Sequence, residues 1–184
     1  IISHLRTFGR AAPVSREPLS INDVITQAVS LVQEQLRLHQ VEVRLDLVPS
    51  NPLVCGSAIQ LEQVFINLLT NARDALAHAP VKQIVVRSVA DAHRVTVTVQ
   101  DSGPGIPPGL EQRIFDPFFS TKDVGAGTGL GLSITYGILK DHQGSITVES
   151  RPGVGATFVV VMPLAGKETE PEDCLPSKRL EGGP

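Results

Sequence analysis

The chain has 184 residues, 41% hydrophobic and 19% charged, which suits one domain with a sizeable core plus appendages. A net charge of −3 gives no hint of a nucleic-acid surface, and no apolar run approaches the ~20 residues of a membrane helix. The two cysteines, Cys55 and Cys174, lack ligand spacing, so no disulfide framework and a reducing, cytoplasmic setting are expected.

The chain opens mid-pattern. Ile1 to Gly9 has the character of the last turns of a helix, as in a fragment whose parent could carry a membrane segment upstream. Ala11 to Leu19 contains Pro13 and Pro18 and is a linker by composition. Ser20 with Asp23 three residues on resembles a capping box. Ile21, Val24, Ile25, Ala28, Val29, Leu31 and Val32 then predict a helix to about Leu38. Val41 to Leu47 alternates apolar and polar and predicts a strand with one buried face. Asn51-Pro52 marks a turn, and Leu53-Val54 a short extended piece.

A second helix is expected over Ser57 to Ala77. Lys82 to Ala90 and Arg94 to Gln100 alternate like two strands of a hairpin. Asp101 to Pro108, DSGPGIPP, is a loop, followed by a short helix around Leu110 to Phe115. The glycine-rich stretch Asp116 to Leu132 leads into a third helix over about Leu130 to Asp141. Gly144 to Ser150 and Ala156 to Met162 are two further strands, and the chain from Leu164 onward is polar and built like a disordered tail or linker. This order predicts an α/β (α+β) two-layer sandwich. Its sheet is mixed, mostly antiparallel, of about five strands, and covered on one face by three helices.

Three places carry chemistry. In the glycine stretch, Gly125, Gly127, Gly129 and Gly131 precede a helix N-terminus, which suits either a phosphate cradle or a mobile loop. Neither the P-loop pattern nor the dinucleotide G-x-G-x-x-G pattern is present. On the second helix, Gln63, Asn67, Asn71 and Asp74 recur at steps of four, four and three and share a face. That face is either solvated or presents amide oxygens to a hard cation such as Mg²⁺, which leans on substrate phosphates. Asp101 closes a strand beside Gly103 and Gly105, either capping a turn or accepting a hydrogen bond from a base's amino group.

Taken together, NLLTNARDA (Asn67 to Ala75), DSGPGI (Asp101 to Ile106), FDPFFSTK (Phe115 to Lys122) and GTGLGLSI (Gly127 to Ile134) occur in one order. The set closely resembles the ATP-binding catalytic domain of sensor histidine kinases, in the wider family of gyrase, Hsp90 and MutL ATPases. The resemblance covers roughly Leu19 to Leu164 and implies a Bergerat-type ATP-binding fold. It implies that Asn67 and Asn71 bind Mg²⁺, with Asp74 beside them, and that Asp101 bonds the adenine amino group, with Gly103, Gly105 and Ile106 around the base. Phe115 to Lys122 and the following glycines would form an ATP lid with Phe118 and Phe119 as packing anchors. Gly127, Gly129 and Gly131 would cradle the phosphates, with Gly125, Thr128, Leu130 and Leu132 also nucleotide-binding. Lys122 would either pair with a phosphate or stay solvated, and Thr157 would reach adenine through water.

The same resemblance implies a division of the chain. Residues 1–12 would end the dimerisation and phosphoacceptor hairpin, 13–18 the linker, 19–164 the catalytic domain and 165–184 the tail. His4 is followed by Leu5, where the acceptor box has an acidic residue, so it is not the expected acceptor. His39, His78, His93 and His142 are scattered and expected at the surface. The implied partners are the phosphoacceptor histidine domain of the same protein and a response regulator receiver domain. The implied parent is a homodimer. Competing readings are an ATP-hydrolysing machine of the gyrase or Hsp90 kind and a nucleotide- or partner-binding module without catalysis.

Overall fold

The computed structural model describes residues 16–120 and 128–166 together with Cys174. Among them seven strands and three α-helices form. In chain order they are β1 (Glu17–Ser20), α1 (Ile21–Leu38), β2 (Glu42–Asp46), β3 (Leu53–Gly56), α2 (Ala58–Ala75), β4 (Gln83–Ala90), β5 (Arg94–Asp101), α3 (Gly131–Asp141), β6 (Ser145–Arg151) and β7 (Gly155–Pro163). A 3-10 turn at Arg113–Phe115 lies between β5 and α3.

Five strands make the main sheet in the order β2-β4-β5-β7-β6, with β2 and β4 parallel and the other neighbours antiparallel. Alternation explains its one buried face. Ile84 and Val86 of β4, Val95, Val97 and Val99 of β5, and Phe158, Val160 and Met162 of β7 all enter one core. The three helices cover that face. Ser20 caps α1 by accepting from the Asp23 N–H at 3.1 Å, and Ile21, Val24, Ile25, Ala28, Val32 and Leu36 form its buried stripe. Ser57 caps α2, which buries Leu61, Val64, Phe65, Leu68, Leu69 and Ala72. β2 lies at the sheet edge and is largely exposed, so its alternation overstated its burial.

Three expectations are corrected. The segment assigned to a linker contains β1, which pairs antiparallel with β3 in a separate two-stranded sheet. Pro18 hid it: proline within a short run argues against a strand, yet an edge position needs no donor from it. The cysteines are bonded, Cys55 to Cys174, with a Cα–Cα distance of 5.1 Å across 119 positions of sequence. Sequence spacing carries no information about such a contact. It is prepared by the chain's return after β7, where the Ala165 N–H donates to the Leu53 carbonyl at 2.8 Å.

The third correction is His142, which is 3% exposed and not a surface residue. It follows the last turn of α3. Its Nε2 accepts from the Ser57 N–H at 3.1 Å, which leaves Nδ1 to donate to the Ile138 carbonyl at 2.7 Å. The end of α3 is thereby joined to the cap of α2. Burial lowers the imidazole's pKa and outweighs the opposing bond to the Ile138 carbonyl.

Candidate functional site

The spacing of α2 turns Asn67 and Asn71 to one face, away from Leu61, Leu68 and the core. That face forms one wall of a cleft of about 460 Å³, large enough for a nucleotide-sized ligand. The loop after β5, the 3-10 turn and the start of α3 form the other walls. Asn67, Asn71, Asp74, Asp101, Gly105 and Ile106 line it, as do Thr128, Gly129, Gly131 and Leu132. Residues distant in sequence and singled out by chemistry therefore meet in one cavity.

At one end stands Asp101, 4% exposed. Its Oδ1 accepts from the Gly103 N–H at 2.9 Å and the Ala156 N–H at 3.4 Å. Both donors use Oδ1, so Oδ2 is left for a ligand in the cleft. Burial raises the carboxyl's pKa, and the two backbone N–H groups oppose that shift. Phe158 and Ala156 of β7 close this end with apolar surface.

At the other end, Asn67 Nδ2 donates to the Gly131 carbonyl at 3.1 Å and the Thr135 hydroxyl at 3.2 Å. This fixes the amide and leaves its Oδ1 as the atom available to a ligand. Asn71 lies one turn further along and also lines the cleft. Two neutral amide oxygens suit a hard cation that arrives with phosphate oxygens of its own, so the donor set fits Mg²⁺ bound with a nucleotide. Among the described residues there is no cluster of three His, Cys, Asp or Glu that could hold a metal unaided.

The first turn of α3 faces the same end. Its leading N–H groups have no intrahelical partners, and the helix dipole favours an anion there. Gly129, at φ +64, makes the approach possible. A Cβ there would lie 2.5 Å from the Phe118 carbonyl carbon, and the Phe118 N–H donates to the Gly129 carbonyl at 3.0 Å. None of the described residues lining the cleft is Lys or Arg. Phosphate charge must therefore be met by N–H groups, a cation or residues beyond these.

Several expected residues stand elsewhere. Gly103 holds Asp101 rather than lining the cleft. Leu130 also stays out of the wall, and its carbonyl accepts from the Ile134 N–H in the first turn of α3. Thr157 lies outside too, because Ala156 and Phe158 take the inward positions of β7. Phe118 is 77% exposed at φ +65, so it is no packing anchor. Phe119 is the aromatic that lines the cleft, with the Arg113 guanidinium 4.8 Å over its ring. Lys122, Gly125 and Gly127 lie outside the described residues. Sequence reasoning missed Thr70 and Ile114 in the wall, and had Ser120 only as part of the lid box. The i+3 step from Asn67 could have found Thr70, but Ile114 has no local signal.

Residues 56–166 match the family described as histidine kinase-, DNA gyrase B-, and HSP90-like ATPase. The chain is 42% identical over 170 residues to the two-component sensor PprA of Pseudomonas aeruginosa, covering 90% of this chain and 18% of PprA. It is 38% identical over 160 residues to the C4-dicarboxylate transport sensor protein DctB of Rhizobium meliloti, covering 87% of this chain and 25% of DctB. The chain thus spans a quarter or less of these two relatives. Among solved structures, the nucleotide-free catalytic domain of histidine kinase ThkA superposes with a TM-score of 0.71 at 34% identity, covering 80% of this chain and 97% of that domain. Full-length ShkA in complex with AMPPNP gives a TM-score of 0.74 at 26% identity, over 88% of this chain and 34% of ShkA.

Proposed function

Because this chain belongs to the histidine kinase-, DNA gyrase B-, and HSP90-like ATPase family, we propose that it is the Mg-ATP-binding catalytic domain of a two-component sensor histidine kinase. It would donate the γ-phosphoryl group to a histidine on a separate helical domain of the same protein. The observation that carries this is the single cleft joining Asp101 at one end to Asn67, Asn71 and the α3 N-terminus at the other. In the transfer, the P–O bond to the ADP leaving group breaks as a P–N bond to the acceptor imidazole forms. Catalysis of that kind is mainly positioning and charge stabilisation.

Each residue has a part. Asp101 Oδ2 accepts from the adenine amino group, and Ala156 and Phe158 pack against the base. Asn67 and Asn71 turn amide oxygens toward the cation, which when bound neutralises charge on the phosphate oxygens. The N–H groups at the start of α3 receive the terminal phosphates, with Lys122, Gly125 and Gly127 as further phosphate contacts. We place the domain on the cytoplasmic side, where ATP is available, in a homodimeric parent that passes phosphate to a response regulator receiver domain. Among the described residues no helix is long and apolar enough to cross a membrane.

The same geometry speaks against a dedicated ATPase. Hydrolytic relatives of the family place a glutamate four residues before the cation-binding asparagine, as the base for water. Here that position is Asn67, whose neutral amide accepts no proton and is already bonded to α3. Glu62 does not line the cleft. With γ-labelled ATP, the domain alone should leave nucleotide intact, and a supplied helical hairpin bearing the parent's acceptor histidine should become labelled. Steady hydrolysis by the domain alone, abolished by Asp101→Asn, would favour the conformational-ATPase reading.

A further inference from the structure

The loop after β5 is stitched to the β6–β7 hairpin, and Ser150 is at the centre of the stitching. The Ile106 N–H donates to Ser150 Oγ at 2.7 Å, and the Ser150 hydroxyl donates to the Gly155 carbonyl at 3.2 Å. Close by, the Gly153 N–H donates to the Pro104 carbonyl at 2.8 Å. The contact is tight. A Cβ on Gly105, which sits at φ +78, would come 2.7 Å from the Arg151 carbonyl oxygen and 2.9 Å from Ser150 Oγ. Ser150 itself does not line the cleft.

The carbonyl of Gly155 and the N–H of Ala156 belong to one planar peptide unit. Its carbonyl end takes the Ser150 proton, and its N–H end points at Asp101 Oδ1, 3.4 Å away. A hydrogen bond at one end fixes the plane and polarises the donor at the other. The same hydroxyl holds Ile106, which lines the cleft. One hydroxyl therefore sets the orientation of Asp101 through the peptide behind it, and the position of the loop in front of it.

We infer that Ser150 is a positioning residue for discrimination of the adenine base, acting through the Gly155–Ala156 peptide on Asp101 and through Ile106 on the loop. This rests on the cleft being an ATP site. The β6–β7 hairpin does not depend on it, since the pairing of Ser150 with Ala156 and Arg151 with Gly155 is backbone register.

The test compares the whole chain with Ser150→Ala and Ser150→Thr. ATP affinity is measured by calorimetry, and that of inosine triphosphate, which lacks the 6-amino group, by competition; thermal melting is followed in parallel. Removing the acceptor of a partly buried N–H should weaken ATP binding by about tenfold in Ser150→Ala. Inosine triphosphate affinity should change little, so the preference for ATP narrows. Ser150→Thr, which keeps the hydroxyl, should restore that preference. Equal ATP affinity in Ser150→Ala, or parallel loss of both nucleotides without rescue by threonine, would overturn the inference. Failure of the unaltered chain to bind either nucleotide would instead overturn the ATP-site reading on which it stands.

Discussion

Asp101 is a carboxylate at the bottom of an apolar pocket, and its environment works against its charge. Burial raises its pKa above 3.8. A folded pKa above the unfolded one means the folded chain binds more protons, so this group's contribution to stability falls as pH rises through the window above about 3.8. At neutral pH the charged form is a cost that ligand recognition explains. Asp101→Asn removes that cost and keeps an acceptor for the Gly103 and Ala156 N–H groups. In the cleft, though, it turns an amide donor toward the donor amino group of adenine. The variant should therefore melt at or above the unaltered chain near pH 7 while losing ATP affinity by at least about tenfold, the scale of a mispaired buried polar group. A melting midpoint that falls together with affinity would show that Asp101 holds the fold rather than the base. The residue was legible in the sequence as an acid at a strand end beside glycines. Its partner Ala156 was not, because nothing in local pattern says which strand lies alongside.

Helices α2 and α3 are tied at both ends of their contact. Asn67 bonds the start of α3, and His142 bonds the cap of α2 from the end of α3. Protonating His142 would place a second donor against the Ser57 N–H. Its folded pKa is lowered below 6.5, so the unfolded chain binds more protons just under that value. Stability from the neutral ring is fully present above about pH 6.5 and is lost as pH falls below it. Melting curves from pH 7.5 to 5 should show a falling midpoint, and His142→Ala should be less stable at pH 7.5 with a shallower fall. The same slope in both proteins would remove His142 as the cause. At this scale the sequence was informative about elements and poor about what joins them. The five strands of the main sheet and all three helices were expected from the sequence, and α1 also carried a capping signal at Ser20. A lone histidine after a helix looks like a surface residue until the neighbouring cap is known.

Across the whole molecule, the separate β1–β3 sheet and Cys174 bring the two ends of the described chain to one side. The Cys55–Cys174 bond closes a loop of 119 positions, and disulfides typically stabilise by about 2–4 kcal/mol, more for longer loops. Oxidised protein should melt above protein kept in dithiothreitol, and Cys174→Ser should erase the difference. Identical curves would mean the bond restrains nothing. In a reducing compartment the pair would stand as two thiols within bonding reach. The cleft itself was the most legible feature, because most of its wall comes from four short motifs, while Ile114, Ala156 and Phe158 join it from outside them. The β1–β3 sheet and the cross-link beside it depend on long-range pairing, and there Pro18 and the cysteines misled for want of a partner in view.

Titration calorimetry asks directly whether this cleft binds Mg-ATP through the α2 amides. ATP with Mg²⁺ should bind the unaltered chain with a measurable heat, and chelating the metal should weaken that binding. Asn71→Ala should reduce the Mg²⁺-dependent affinity at least tenfold, about 1.4 kcal/mol. ATP affinity that is absent in the unaltered chain, or unchanged by both chelation and Asn71→Ala, would show that the α2 amides do not bind Mg-ATP.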